Sequence, residues 1–405
     1  MPLTPLHRAW RLLPAGPRRA LFHHGTALLA PRPDKMPPPA QAGIALLGEM
    51  SRASGLGMGV RLIRTALTGM GVQTWGLDVG DRMPGGHAGQ IDRPPPGAPL
   101  ILHVNPPSLP WALLRLPAAV LRGRRVIGLW NWELPVVPQT WRTGLRFVHE
   151  VWVTSRFTAA AMAGIMPADG RIPLRTVTYP LAVAPPRPAG LDRAAFGLPA
   201  DAVVVLVSFN LASSFVRKNP LAAIAAFRQA YGNRADRLLL LKICHPEHFP
   251  EDFAALRLAV AGMANIRIET RTMPEAELHA LTACADIVLS LHRSEGFGLV
   301  PAEAMLLGRA VVATGWSGNM DFMNQDSAAL VPYLLVPAHD PRGVLEAPGA
   351  VWAEPDIAAA TAALVRLADD PHARAALGAR AKAHAEQQLG PDSLAAAVRG
   401  LGFDL

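Results

Sequence analysis

Residues 201–209 read DAVVVLVSF, an almost unbroken apolar run. A strand without polar alternation has no face to offer water, so it belongs inside a parallel sheet covered on both sides. Parallel neighbours then need crossover connections, and the text beyond supplies them. A helical stretch from about Asn219 to Tyr231 precedes LLLLKI (238–243), and IRIE (266–269), DIVLSL (286–291), AVVAT (310–314) and ALVPY (329–333) follow as further strands. The Ala-rich text from Asp356 to about Gln388 is helical, and a last short helix is expected from Ser393 to Leu401.

The same alternation occurs earlier in the chain. GIALLG (43–48), 72–77, LILHV (100–104), 125–130, 150–154 and 175–179 read as strands, with a helix over Gly55 to Met70. Two such series predict two doubly wound α/β units built from right-handed βαβ crossovers. VAPPRPAG (183–190) interrupts the pattern with prolines and a glycine, and is the natural linker. The expected division is a leader over 1–35, a first Rossmann-like domain over 36–185 and a second over 186–388. A C-terminal helix over 389–405 would pack back on the first domain. Ligands in such sheets gather at the carboxyl ends of the strands.

A chain of 405 residues with a net charge of +8 invites a nucleic-acid reading, but the charge is uneven. Arg8, Arg11, Arg18, Arg19, Arg32 and Lys35 against Asp34 give residues 1–35 a net +5, leaving +3 for the rest. That distribution argues against nucleic acid and for a basic leader. There Leu3, Leu6, Trp10, Leu12, Leu13, Leu21 and Phe22 alternate with the arginines, which suits a helix on an anionic membrane surface or one packed on the protein itself. Pro14 and Pro17 limit any single helix. Cys244 and Cys284 sit in or beside apolar text, as buried free thiols in a reducing compartment would. No apolar run is long enough to span a bilayer and the N-terminus lacks a signal-peptide core, so a cytoplasmic location, peripheral to the inner membrane face, is expected.

The densest chemistry lies in SEGFGLVPAEAMLLG (294–308). DIVLSL is a strand and Leu299 to Leu307 has helical periodicity, so SEGFG is the turn at the strand's carboxyl end. Gly296 and Gly298 allow a ligand close to the backbone, and Pro301 in the first helical turn forfeits no hydrogen bond. Free N–H groups at such a helix start favour a phosphate. Glu295 and Glu303, before and inside that helix, would flank it, and carboxylates accept well from sugar hydroxyls. Taken alone, the same text also describes an ordinary strand-to-helix turn with a solvated Glu303.

SEGFGLVPAEAMLLGRAVVATGWSGNMDFM (294–323) closely resembles the E-x7-E signature region of retaining glycosyltransferases of family 4, with the GT-B fold. VRKNPLAAIAAF (216–227), LLLLKI, RTMPEAELHALTACADIVLSLHRSEGFG (271–298) and WAEPD (352–356) are similar to the same family. SRASGLGMGVRLI (51–63) and IGLWNWELP (127–135) resemble its polysaccharide and lipopolysaccharide branch.

The resemblance implies that Glu303 binds the ribose hydroxyls of a nucleotide and Glu295 the hydroxyls of the donor sugar. Amides around Gly296, Phe297, Gly298 and Leu299 would hold the diphosphate, and Lys218 would neutralise it as it leaves. Lys242 is a second candidate for that charge or for the sugar, and Arg271 to Met273 would line the base. Many members carry an arginine right after the first strand of this domain. Here the text is SFNLASSFVRK, with Asn210 or Ser208 in that region, so either Arg217, adjacent to Lys218, supplies the second positive charge or the phosphate site is less basic than usual.

In the first domain, Gly55, Gly57 and Gly59 form the turn after the first strand. The resemblance places this loop against the donor diphosphate or the acceptor. The dinucleotide fingerprint is incomplete, yet Asp78 lies about 20 residues on. A nicotinamide-dependent oxidoreductase is therefore one alternative, and a catalytically degenerate glycan-assembly scaffold another. A phosphorylase would need a pyridoxal-phosphate lysine motif that the sequence does not show. Trp132 could stack on a sugar ring and Glu133 orient an acceptor hydroxyl, with His103 and Asn105 as comparable acceptor-side candidates. No Asp-x-Asp occurs, and no His or Cys cluster has zinc-ligand spacing. The resemblance implies a nucleotide sugar as substrate and a glycan or lipid-linked glycan acceptor, and with these absences no cofactor and no metal are expected.

Overall fold

The computed structural model describes residues 15–41, 43–80 and 92–405, with side chains described from Leu21 onward in the first helix. The leader's first residues, including Leu3, Leu6, Arg8, Trp10, Arg11, Leu12 and Leu13, lie outside them.

Two six-stranded parallel sheets organise the chain. The first holds β1 (Ile44–Gly48), β2 (Thr74–Asp78), β3 (Leu100–His103), β4 (Val126–Trp130), β5 (Glu150–Val153) and β6 (Leu174–Thr176), in the order β2-β1-β3-β4-β5-β6. The second holds β7 (Val203–Asn210), β8 (Arg237–Cys244), β9 (Ile266–Glu269), β10 (Ile287–Ser290), β11 (Ala310–Thr314) and β12 (Ala329–Val331), in the order β12-β11-β10-β7-β8-β9. DAVVVLVSF is β7, central between β10 and β8, where its apolar run requires it to be.

Three expectations shift. ALVPY is not one strand: Pro332 parts β12 from β13 (Tyr333–Pro337), which leaves the parallel sheet and pairs antiparallel with β14 (Val351–Pro355). Proline has no N–H for a ladder, so the chain changes sheets there. The Ala-rich tail is two helices, Ile357–Asp369 and Pro371–Gln388, because the Asp370 side chain caps the second and Pro371 starts it. Pro17 also interrupts nothing, since the leader helix runs Ala15–Leu29 with the proline in its first turn. That helix buries Ala27 on the first sheet's core and leaves Leu21, Leu28 and Leu29 exposed.

The sheets meet at their carboxyl ends. Ser155 Oγ, after β5, donates to Gly296 O (2.6 Å), and Arg156 N donates to Asp321 (2.7 Å). The linker 183–190, between β6 and β7, holds no helix or strand and is stitched to the second domain through Ala189 N to Ala276 O (2.8 Å). The last helix, Asp392–Arg399, returns to the chain leaving β6: Thr178 N donates to Ser393 Oγ (3.0 Å).

Packing is tightest where helices approach backbone. Inside Pro371–Gln388, a Cβ on Gly378 would stand 2.2 Å from Gly308 O. Gly378→Ala should therefore lower stability by about 1–3 kcal/mol through overpacking. Helix propensity alone would raise it by about 1 kcal/mol, and the sign of the change in urea midpoint decides between the two.

Candidate functional site

β10 ends at Ser290, and the next eight residues turn into the helix Leu299–Leu306 at the mouth between the sheets. Gly298 is the helix's N-cap with φ of +102°, a conformation that favours glycine, and no side chain caps the helix start. Its first N–H groups are therefore free of any side-chain cap and stand next to a cluster of buried charge.

Glu295 is the centre of that cluster and is only 6% exposed. Lys218 Nζ donates to its Oε1 (2.5 Å) and Arg217 Nη1 to its Oε2 (3.1 Å). Burial by itself would raise this carboxyl's pKa, but the two cations outweigh it and hold Glu295 at about 2. The same burial pushes Lys218 down from its ordinary value against the pull of Glu295. Arg217 is held above its ordinary value, the charges of Glu295 and Glu133 outweighing its burial. Arg217 also donates to the carbonyls of Ser294 (2.8 Å) and Ser213 (2.8 Å). Arg217, seven residues beyond Asn210, thus adds a second positive charge beside Lys218 on the same carboxylate.

The backbone of Glu295 is fixed by residues to which no role was assigned from sequence. Its N–H donates to Ser317 Oγ (2.8 Å), and its carbonyl accepts from Gly318 N (2.9 Å). Ser317 has φ of +81°, rare for a residue with a side chain, and a Cβ on Gly318 would lie 2.2 Å from Gly296 O. The clue in the sequence was the Ser-Gly pair in TGWSGN. Beneath them lies His292, fully buried, with Nδ1 on Ser290 Oγ (3.0 Å) and Nε2 on Asn319 Oδ1 (3.0 Å). Burial lowers its pKa, so it is a neutral support.

Glu303, one turn inside the helix, has Oε1 3.9 Å from His279 Nε2. The Arg187 amide of the linker donates to His279 Nδ1 (3.2 Å), which leaves Nε2 to carry the proton toward Glu303. Although burial alone would lower it, Glu303 raises the His279 pKa. Phe297 is buried between Tyr179 and Phe322. Lys242, at the end of β8, is buried with its Nζ on Ile243 O (3.2 Å), and Arg271 is committed to Glu269 at 2.8 Å while Met273 packs on the core.

Across the mouth, the helix Gly55–Gly69 begins opposite Leu299: a Cβ on Gly55 would come 3.9 Å from its side chain. Gly57 packs on Arg52 O, and Gly59 lies on Tyr179 and His103 with no room for a Cβ. Glu133 accepts Ser294 Oγ at its backbone carbonyl and adds negative charge beside Arg217.

Three first-domain candidates sit differently from expectation. Trp132 is 4% exposed, donates its Nε1 to Val136 O (2.8 Å) and meets Trp141 edge-on, so it is a wall and not an open stacking platform. Asn105 is spent on both backbone groups of Asn131, each at 3.0 Å. His103 is buried with Nε2 on Tyr179 Oη (2.8 Å), and burial lowers its pKa to about 4, which keeps it neutral. Asp78, the anchor of the oxidoreductase alternative, is buried and turned onto Gly80 N (2.8 Å).

The Glu295 cluster has a pH signature. A carboxyl held at about 2 in the fold but at 4.5 when free stabilises the fold above pH 4.5 and loses that contribution as pH falls toward 2. About 3 kcal/mol should disappear over that window, and Glu295→Gln should flatten it while lowering stability at neutral pH. Urea unfolding of both proteins from pH 6 down to about pH 2 checks it.

Residues 212–354 match the family model described as glycosyl transferases group 1. The D-inositol 3-phosphate glycosyltransferase of Saccharomonospora viridis is 30% identical over 198 residues, 48% of this chain and 41% of that protein. The chain thus spans less than half the length of that curated relative. Among solved structures, Anabaena HepE in complex with UDP and glucose superposes with a TM-score of 0.61 at 14% identity, over 89% of this chain and 99% of that one. Sucrose-phosphate synthase from Thermosynechococcus elongatus gives a TM-score of 0.61 at 18% identity, over 89% and 98%. The architecture of two facing parallel sheets is therefore the GT-B fold, and the Glu295 turn falls inside the segment that matches glycosyl transferases group 1.

Proposed function

We propose that the protein is a glycosyltransferase that moves a sugar from a nucleotide diphosphate donor to a hydroxyl of a glycan or lipid-linked glycan, with retention of configuration, in cell-surface polysaccharide synthesis. The observation that carries this is the helix start at Leu299, uncapped by any side chain, beside the Glu295–Lys218–Arg217 cluster. Helix-start amides and two cations together suit one anionic group, and the ionised Glu295 beside them suits a hydroxyl. The match of residues 212–354 to glycosyl transferases group 1 and the UDP and glucose bound by HepE support the same reading.

In this mechanism the second domain takes the donor, with Glu303 on the ribose and Glu295 on the sugar. Lys218 and the amides at Phe297 to Leu299 stabilise the charge that grows on the departing diphosphate, so the positive charge comes from the chain's own residues and no metal is required. The acceptor enters from the first domain near Glu133. His103, neutral and engaged by Tyr179, is a poor base, so the acceptor proton passes to a phosphate oxygen of the leaving group. Contact between the domains excludes water that would hydrolyse the donor. A peripheral position on the inner membrane face through residues 1–35 fits the exposed Leu21, Leu28 and Leu29 of the leader helix.

A thermal-shift screen with UDP-, GDP-, ADP- and dTDP-sugars should give its largest shift with a UDP-sugar. Stabilisation at a hundredfold excess over Kd is about 2.7 kcal/mol. Lys218→Ala should cut kcat by about 10²–10³ with a smaller effect on KM, and Glu303→Ala should act mainly on donor KM. Unchanged melting with every sugar nucleotide, together with a fluorescence change on NADH binding, would replace this reading with the oxidoreductase.

A further inference from the structure

On the far side of the first domain lies a cavity of about 460 Å³ whose wall is basic: Lys35, Arg142, Arg146 and Arg171. Its floor is formed by Val148 and His149, which precede β5, and by Ile172, which precedes β6. It therefore opens at the amino ends of those strands, with the length of the sheet between it and the cleft. Arg171 has a loose pairing with Asp169 (3.8 Å, both exposed), while among the described residues Lys35, Arg142 and Arg146 make no ion pair.

The position of Lys35 is built. Asp34 Oδ2 accepts from Gly123 N (2.7 Å), and its carbonyl accepts from His149 Nε2 (2.8 Å). His149 Nδ1 in turn accepts from Val126 N (2.9 Å), which fixes the tautomer with the proton on Nε2. Both ring nitrogens thus serve to latch the leader's tail against the sheet, and Lys35 is delivered to the rim. The floor residues Val148 and Ile172, with Leu145 beside them, make the rest of the lining largely apolar. Next to Lys35, Met36 is 81% exposed.

We propose that this cavity binds a phosphate ester, the cations holding the phosphate and the apolar lining its organic part. Two arginine forks and a lysine with no balancing carboxylate match a phosphate, because guanidinium offers paired donors to its oxygens. A single concavity of this size takes one such group and not a polymer backbone. The phosphate has two sources, the headgroup of an anionic lipid or a soluble phosphate ester. The site stands whatever the cleft transfers.

The full-length protein and R142Q/R146Q are compared by sedimentation with phosphatidylcholine vesicles, with and without phosphatidylglycerol, and by thermal shift with glycerol 3-phosphate. Both arginines are exposed, and matching unfolding curves without ligand establish that the variant folds. Loss of two charges near an anionic surface should weaken binding to the phosphatidylglycerol vesicles about thirty-fold. That loss identifies the lipid as the source; a melting shift with glycerol 3-phosphate in the parent protein alone, without vesicle binding, identifies a soluble ester. Equal responses of parent and variant to both probes, or no response of the parent to either, would overturn the proposal.

Discussion

The structure depends on one buried carboxylate. Glu295 could not remain ionised at 6% exposure without Lys218 and Arg217, and neither cation would tolerate that position without Glu295. Removing the carboxylate leaves buried cations without their partner, at a cost of about 3–5 kcal/mol. The cluster ties the end of β7 to the end of β10, two neighbouring strands whose carboxyl ends face the first domain. It is costly in desolvation, and its benefit is positional: a carboxylate and two cations are held in place before any ligand arrives.

Around that cluster the backbone approaches itself more closely than side chains permit. Gly318 lies on Gly296, and Gly296 lies within reach of Trp132 O in the first domain. Ser155 and Thr158 both direct hydroxyls to Gly296 O. The turn carrying Glu295 is thus gripped from both domains, and opening of the cleft must break these hydrogen bonds. The Arg187 amide adds a second link, since the linker sets the tautomer of the histidine that faces Glu303. Domain motion and the two carboxylates are mechanically connected.

The sheets were legible in the sequence because parallel strands buried on both faces leave continuous apolar text, as β7 and β8 do. The helix at Leu299 was legible too, since Pro301 and the glycines before it mark its start. What stayed hidden depended on contacts between segments far apart in the chain. Nothing local in VIGLWNWELP shows that Trp132 would be walled in by Trp141 and Val136, and a tryptophan at a strand end reads equally well as a platform. The same holds for Arg217. Adjacent to Lys218 in sequence, it became a partner of Glu295 only when the short helix Phe215–Lys218 turned both side chains toward one carboxylate. Pro332, by contrast, was visible, and its effect on the strand around it follows from its missing N–H.

The two sides of the mouth differ in electrostatic character, and the difference follows from burial. The second domain carries its charge in pairs that hold one another ionised. The buried groups around Tyr179 in the first domain are neutral: His103 is forced down to about 4, and Tyr179, which bonds both His103 and Asn131, is forced above its ordinary value by the same desolvation. A neutral network resists proton transfer because either charged form would be created in an apolar setting. Glu133, just beyond the end of β4, adds negative charge that favours the charged form of Arg217 in the other domain. The Lys218 and Arg217 charges beside the helix start therefore lie on the second domain, and the first contributes shape and hydrogen bonds to the Glu295 turn.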